Sequence, residues 1–161
     1  MRQSRSHWAM PLSLLLAMLL GLLPLPEALQ PLRPYWLALV MAYWVLEDPD
    51  RIGLGVAFIV GLIADLVFGS LLGEQALRLV VLTFILQRFR ARLRFFPVLQ
   101  QALAIGGLLL NDRIVAAALH MALGAPAPVS SVWLSPLIGT VLWPLAFVML
   151  DSMRLGSWRR R

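Results

Sequence analysis

The sequence predicts an all-α, polytopic integral membrane protein with about six transmembrane helices and both termini in the cytoplasm. The first observation is composition, because 60% of the 161 residues are hydrophobic, only 14% are charged, and the mean hydropathy is +0.82. A soluble globular domain or a disordered chain is far less apolar. The second is that apolar runs alternate with short basic segments, in which all fourteen cations are arginine. Such clusters are typical of the loops that orient membrane proteins.

Six apolar runs are candidate spans within one membrane domain that covers residues 1–161. They are 8–25, 34–46, 53–72, 76–89, 98–123 and 132–150. A helix needs about 20 apolar residues to cross the hydrocarbon core, so the third and sixth runs have a conventional length and the second is short. The sequence Leu-Pro-Leu-Pro-Glu after the first run lacks the small residues of a cleavage site, which favours a retained helix over a signal peptide. Asn111, Asp112 and Arg113 interrupt the fifth run, but each half would hold about a dozen residues, so one continuous helix is expected.

The arginine distribution predicts the orientation, because cytoplasmic flanks retain positive charge. With six spans and a cytoplasmic N-terminus, Arg33 and Arg78 face outward, Arg113 lies within a span, and the other eleven arginines are cytoplasmic. These are Arg2, Arg5, Arg51, Arg88, Arg90, Arg92, Arg94, Arg154, Arg159, Arg160 and Arg161. The net charge of +6 is therefore interpreted as topological, and no nucleic-acid partner is expected.

Small residues at four-residue spacing predict where helices pack, because helices in a bilayer associate through close backbone approach and interhelical hydrogen bonds. The third span has Gly53, Ala57, Gly61, Asp65, Gly69 and Gly73 on one such series. The first span has Ala9, Ser13, Ala17 and Gly21, and the sixth has Ser131, Ser135 and Gly139. One of the latter two series is expected to stay vacant after internal packing and to receive a partner helix.

Asp65 is the main polar candidate, because a carboxylate near the bilayer centre costs about 2.5 to 3.5 kcal/mol unless it has a partner or a proton. Asp112 and Arg113 diverge by about 100° around their helix, which leaves Arg113 free to reach another helix. We expect Arg113 to pair with Asp65 or Asp112 in a polar clamp between the third and fifth spans. Two alternatives stay open: a protonated Asp65 that is bonded to the backbone, and a proton or substrate relay.

The sequence carries no motif for catalysis or cofactor binding. It has no cysteine, nucleophile elbow, phosphate loop or His-Glu-x-x-His pattern. His7 is interpreted as a flanking residue, and His120 as a helix-end hydrogen-bonding residue because no second metal ligand stands at a suitable spacing. No enzymatic activity, metal or cofactor is therefore expected.

Two further patterns are interpreted as interfacial. The basic turn with Arg88, Arg90, Arg92 and Arg94 alternates arginine with apolar residues, which favours contact with anionic lipid over a docking site for a cytoplasmic protein. Tryptophans near the span ends predict aromatic belts, and Trp36 and Trp44 would anchor the short second span.

Several of these residues together resemble the MreD family of bacterial rod shape-determining proteins. The most specific part is the block Gly61-x-x-x-Asp65-Leu66-x-x-Gly69-x-x-Leu72-Gly73-x-x-Ala76-Leu77. Weaker support comes from Arg33-Pro34-x-Trp36, Tyr43-Trp44, Pro49-x-Arg51 and Gly139-x-x-Leu142-Trp143-Pro144.

The resemblance implies a non-enzymatic subunit of the peptidoglycan elongation machinery in the bacterial inner membrane. It implies MreC as a partner, with RodA, a penicillin-binding transpeptidase and the MreB filament as further candidates, and membrane lipids around it. A scaffold would hold MreC on the vacant series, so leucine at Ala17 or Gly21 should release MreC. The alternative is a substrate-binding membrane subunit of a vitamin-type transporter, with a pocket near Asp65.

Overall fold

The computed structural model describes residues 8–124, 126 and 133–156, and these residues form six α-helices with no strand among them. The helices are α1 (Ala9–Leu22), α2 (Trp36–Glu47), α3 (Leu54–Phe68), α4 (Glu74–Leu93), α5 (Val98–Ala122) and α6 (Ser135–Gly156). A short 3-10 helix, Glu27–Leu32, connects α1 to α2. The prediction of an all-α fold with six helices is confirmed.

Helix lengths differ from the predicted spans. Within the described part of the chain, α5 and α6 are long and apolar enough to cross a membrane, whereas α1 and α3 are shorter apolar helices. The third span was expected to have a conventional length, but α3 ends at Phe68 because Gly69 adopts a left-handed conformation with φ of 63°. The fifth run forms one continuous helix, as expected. The crossing of a membrane by all six helices stays a prediction.

The short helix α2 lies at the centre of the bundle. It has 12 residues, and the ten from Leu37 to Leu46 are all buried. At 1.5 Å per residue this helix is about 18 Å long, which is shorter than the hydrocarbon core. Because α1, α4 and α6 surround it, α2 does not need to span lipid by itself.

Helices that follow one another along the chain run in alternating directions, so the bundle has two distinct ends. At one end α1, α3 and α5 finish and α2, α4 and α6 begin; we call it the network end, because most of the buried polar side chains lie there. At the opposite end, Arg154 of α6 pairs with Glu47 of α2 at 2.6 Å. The predicted orientation places the network end outside and the opposite end in the cytoplasm.

Glycine positions determine the closest helix crossings. A Cβ on Gly61 of α3 would lie 2.6 Å from the backbone nitrogen of Ala76 in α4. A Cβ on Gly139 of α6 would instead collide with the side chain of Leu109 in α5. Gly61 therefore brings two helix backbones together, and Gly139 makes room for a side chain of its neighbour, as small residues do in membrane proteins.

Two tryptophans interpreted as interfacial are core residues instead. Trp44 is 1% exposed, and its Nε1 donates a hydrogen bond of 2.8 Å to Ser13 Oγ of α1. Trp143 of α6 is fully buried. Trp8 is largely exposed, as a belt residue would be, and Trp158 lies outside the described residues.

Candidate functional site

Asp65 caps the helix that follows it. Its carboxylate is 1% exposed and accepts three hydrogen bonds: from Ser70 Oγ at 2.7 Å, from the Gly73 amide at 2.7 Å and from the Gln75 amide at 2.8 Å. The two amides belong to the N-terminus of α4, where backbone N–H groups lack partners within the helix and favour negative charge. The carboxylate therefore joins the end of α3 to the start of α4.

Glycines make this capping geometry possible. Gly69 and Gly73 have φ of 63° and 96°, a left-handed conformation that other residues rarely adopt. Gly69 ends α3, and Gly73 directs its amide towards Asp65 just before α4 begins. Together with the close approach at Gly61, these positions explain the spacing of glycine and aspartate in residues 61–77. The whole segment forms one helical hairpin of α3 and α4.

Tyr35 connects the start of α2 to this unit. Its hydroxyl donates a hydrogen bond to Gln75 Oε1, and the guanidinium carbon of Arg78 lies 4.5 Å from the centroid of its ring. Such a distance is typical of a cation–π interaction. Tyr35 thus contacts two successive turns of α4.

Arg78 forms the central ion pair of the network end. It donates from Nε to Asp112 Oδ1 at 2.9 Å and from Nη2 to Asp112 Oδ2 at 2.5 Å. Its Nη1 lies 3.6 Å from Glu74, whose second oxygen lies 3.2 Å from His120 Nε2. Arg78 and Asp112 are 6% and 3% exposed, so each charge depends on the other for compensation. This group ties α4 to α5.

Arg113 ties α5 to α6. Its Nη2 donates to Ser135 Oγ at 2.9 Å, and that hydroxyl in turn donates to the backbone carbonyl of Arg33 at 2.6 Å. Ser135 begins α6, and Arg33 follows the 3-10 helix before α2. Three segments of the chain therefore meet at one hydroxyl. We call the whole set the polar network; its members are Tyr35, Asp65, Glu74, Gln75, Arg78, Asp112, Arg113, His120 and Ser135.

The predicted clamp is wrong in its partners. Arg113 does reach another helix, as its divergence from Asp112 suggested, but the acceptor is Ser135 and neither Asp65 nor Asp112. Asp65 has a full set of backbone and hydroxyl donors without a cation. Asp112 pairs instead with Arg78 of the neighbouring helix α4, whose side chain is directed into the bundle.

The expectation of a vacant small-residue series also needs correction. Ser13 and Ala17 of α1 are 2% exposed and face the interior, and Ala9 packs against the core. A Cβ on Gly21 would lie 2.7 Å from the ring of Phe68 in α3. Ser135 and Gly139 of α6 are buried too, and Ser131 lies outside the described residues. Leucine at Ala17 or Gly21 would therefore disturb the bundle itself.

The basic segment with Arg88, Arg90, Arg92 and Arg94 is mostly the last turns of α4 instead of a separate turn. Arg88, Arg92 and Arg94 are exposed. Arg90 Nε donates to the carbonyl of Leu46 at 3.0 Å. This carbonyl is in the last turn of α2, where carbonyl groups have no hydrogen-bond partner within the helix. Contact with anionic lipid at the other three stays a prediction.

Sequence reasoning missed Arg78, Glu74, Gln75 and Tyr35. Arg78 was treated as an outward flank, although it lies two residues inside the predicted fourth span. A charged residue within an apolar run is by default a buried, paired residue, and Glu74 stands four residues before it, as helix ion pairs do. Those two signals could have identified the site.

A cavity of about 580 Å³ opens beside the polar network. Its polar lining residues include Arg33, Tyr35, Gln75, Arg78 and Arg113, and its apolar lining residues include Leu22, Trp36 and Phe68. Within the described residues, no group of three or more His, Asp or Glu side chains could hold a metal ion.

Comparison with known proteins identifies the family of this chain. The family model for the rod shape-determining protein MreD matches residues 2–153. The rod shape-determining protein MreD of Haemophilus influenzae is 31% identical over 139 residues, which cover 86% of each chain. No solved structure shows a significant match. The family match extends over nearly the whole chain and includes every helix of the polar network, and on this basis the chain belongs to the MreD family of rod shape-determining proteins.

Proposed function

We propose that this protein is a non-enzymatic scaffold subunit of the rod-shape complex, a multi-pass protein of the bacterial inner membrane. In this role it holds MreC and the peptidoglycan synthases, RodA and a penicillin-binding transpeptidase, near the cytoplasmic MreB filament. The observation that carries the proposal is the family match over residues 2–153.

The buried chemistry of the bundle supports a scaffold. Asp65, Arg78 and Asp112 each bond to a neighbouring element, so these charges hold helices together and are not poised towards a reacting group. Packing of apolar side chains gives little driving force between helices in lipid. Buried polar contacts of this kind are therefore well suited to define one rigid arrangement, which a scaffold requires.

A groove between α4 and α5 is the surface that we propose for the transmembrane helix of MreC. Its volume is about 380 Å³, and its lining includes Ile85, Phe89, Ala104 and Gly107. Gly107 is exposed in mid-helix, with no atom within 4 Å of where its Cβ would be. Glycine there costs about 0.5 to 1 kcal/mol relative to alanine. Close approach of a partner helix would compensate for this cost.

The test is leucine at Gly107, with leucine at Gly55 as the matched control. Gly55 is also an exposed helical glycine with open space around its Cβ position, but it lies in the first turn of α3, outside the groove. Both substitutions should leave the fold intact, since leucine favours helices. We expect Gly107→Leu to reduce the MreC that co-purifies with the tagged protein several-fold, and Gly55→Leu to leave it at the wild-type ratio.

Wild-type MreC recovery with Gly107→Leu would refute the groove as the binding surface. Absence of MreC from gentle purifications of the wild-type protein would contradict the scaffold role itself. Mass spectrometry of the same samples also tests the transporter alternative, because a stoichiometric vitamin-like molecule would favour that function.

A further inference from the structure

We propose that the cavity beside the polar network binds a phosphate-bearing ligand, with Arg33 and Arg113 as the groups that hold the phosphate. The proposal is independent of the partner surface, because the cavity lies at the network end and the α4–α5 groove lies towards the other end of the bundle. Under the predicted orientation, the ligand enters from the outer leaflet or from the external solution.

The first argument is charge. The cavity is lined by three arginines and one carboxylate, Glu27, which is exposed. Arg78 is compensated by its bidentate pair with Asp112. In the described part of the chain neither Arg33 nor Arg113 forms an ion pair. Two guanidinium groups therefore give the cavity an excess of positive charge, which favours an anion.

The second argument is unused hydrogen-bonding capacity. Nη2 of Arg33 is buried, and it has no hydrogen-bond partner among the described residues. Arg113 donates one bond to a neutral hydroxyl, although a guanidinium has five N–H donors. Both arginines are partly buried, and charged groups removed from water without compensation are costly, so such groups are normally paired or bound to a ligand. Arg33 and Arg113 therefore keep N–H donors that no acceptor among the described residues uses.

The third argument is the relative position of the two arginines. Ser135 Oγ accepts from Arg113 Nη2 at 2.9 Å and donates to the backbone carbonyl of Arg33 at 2.6 Å. The Arg113 guanidinium therefore lies next to the backbone of Arg33, and both residues line the same cavity. Guanidinium groups bind phosphate oxygens in a bidentate manner, so a cavity lined by both arginines suits a phosphate.

The apolar residues of the cavity suggest what accompanies the phosphate. Leu22, Trp36 and Phe68 line the same cavity as the arginines, so an amphiphile could place its headgroup at the arginines and its chain against these apolar residues. The same phosphate could come from an anionic lipid headgroup or from a free phosphate in solution. The experiment separates these two sources.

The test uses the purified full-length protein in neutral detergent, with melting temperature and native mass spectrometry as readouts. Three probes are titrated: inorganic phosphate, dioleoylphosphatidylglycerol, and dioleoylglycerol, which has the same chains without the phosphate. A ligand that binds the native state raises its melting temperature. Stabilisation by phosphatidylglycerol alone identifies a lipid headgroup, and stabilisation by inorganic phosphate identifies a free ligand. Equal binding of dioleoylglycerol and phosphatidylglycerol, or no binding of any probe, overturns the proposal.

Variants locate the site. Arg33→Gln and Arg113→Gln should each weaken binding about tenfold or more, because each removes charge-assisted hydrogen bonds. Arg51→Gln is the matched control: it removes a partly exposed arginine that pairs with Asp48 at the other end of the bundle, outside the basic segment of α4, and should leave the one-to-one complex unchanged. An equal loss with Arg51→Gln would indicate general attraction to basic residues and would overturn the site.

Arg33→Gln also distinguishes ligand binding from a structural role. Because its Nη2 has no partner in the unliganded fold, its removal should leave the melting temperature without ligand unchanged or higher. A lower melting temperature without ligand, together with normal phosphate binding, would assign Arg33 a structural role and refute the proposal. This variant keeps the test decisive if Arg113→Gln fails to fold.

Discussion

Asparagine at position 65 tests whether a carboxylate is needed to join α3 to α4. The native side chain accepts from Ser70 and Gln75 with one oxygen and from the Gly73 amide with the other. Asparagine has nearly the same shape but only one acceptor oxygen. In its better orientation the oxygen keeps Ser70 and Gln75, and the NH₂ group faces the N–H of Gly73. That partly buried backbone donor then has no acceptor.

The expected loss of stability follows from two contributions. A buried N–H group without an acceptor costs about 1 to 3 kcal/mol. Loss of the negative charge at the N-terminus of α4 costs about 0.3 to 1 kcal/mol more. In a domain of this size 1 kcal/mol corresponds to roughly 2 to 4 °C, so Asp65→Asn should lower the melting temperature by on the order of 5 to 10 °C.

The assay is thermal unfolding of purified protein in one detergent, with Asp48→Asn as the control. Asp48 pairs with Arg51 at 3.2 Å near the surface of the opposite end, where such pairs contribute about 0 to 1 kcal/mol. Asp48→Asn should therefore change the melting temperature by about 4 °C or less. If Asp65→Asn melts within that margin of the wild-type protein, the carboxylate is not needed. The alternative of a protonated Asp65 would then be favoured, since asparagine resembles that neutral form.

Two further substitutions test the packing and the ion pair by the same measurement. Gly61→Ala places a Cβ 2.6 Å from the backbone nitrogen of Ala76 and should cost about 1 to 3 kcal/mol, whereas Gly55→Ala enters open space and should not destabilise; equal melting temperatures would contradict the close crossing. Arg78→Met leaves Asp112 buried without compensation and should cost about 3 to 5 kcal/mol. Adding Asp112→Leu should recover most of that loss, and an additive loss in the double variant would show that the two residues are not coupled.

The helices and their order were predictable because they depend on properties that each segment carries by itself. Apolar runs bounded by Pro34, by the acidic turn at 47–50 and by basic segments indicate helices whatever their neighbours are. The small residues of the third span also predicted a packing surface correctly at Gly61, where close backbone approach is required. Helix ends were less predictable, since the end of α3 depends on the left-handed conformation of Gly69.

The partners in the polar network were not predictable, because they depend on which helices are neighbours. The sequence predicts that Asp65 needs a partner or a proton, but it does not reveal that its partners are Ser70 and the first amides of α4. The series from Ala9 to Gly21 gives the same signal whether it faces the interior or a partner. The burial of Ser13 and Ala17 and the position of Phe68 against Gly21 decide that it faces inward.

The polar contacts form a nearly continuous series of hydrogen bonds and ion pairs across the network end. Asp65 joins α3 to α4, Arg78 joins α4 to α5, and Arg113 joins α5 to α6, while Tyr35 brings in the start of α2. Buried polar groups are stable only when their hydrogen bonds are satisfied. Each contact therefore restricts which arrangement of the neighbouring helices is stable. This series of contacts ends at Arg33, whose buried Nη2 has no partner in the described residues. An anion bound there would connect Arg33 to Arg113, and it would stabilise the same arrangement of helices that presents the α4–α5 groove to a partner.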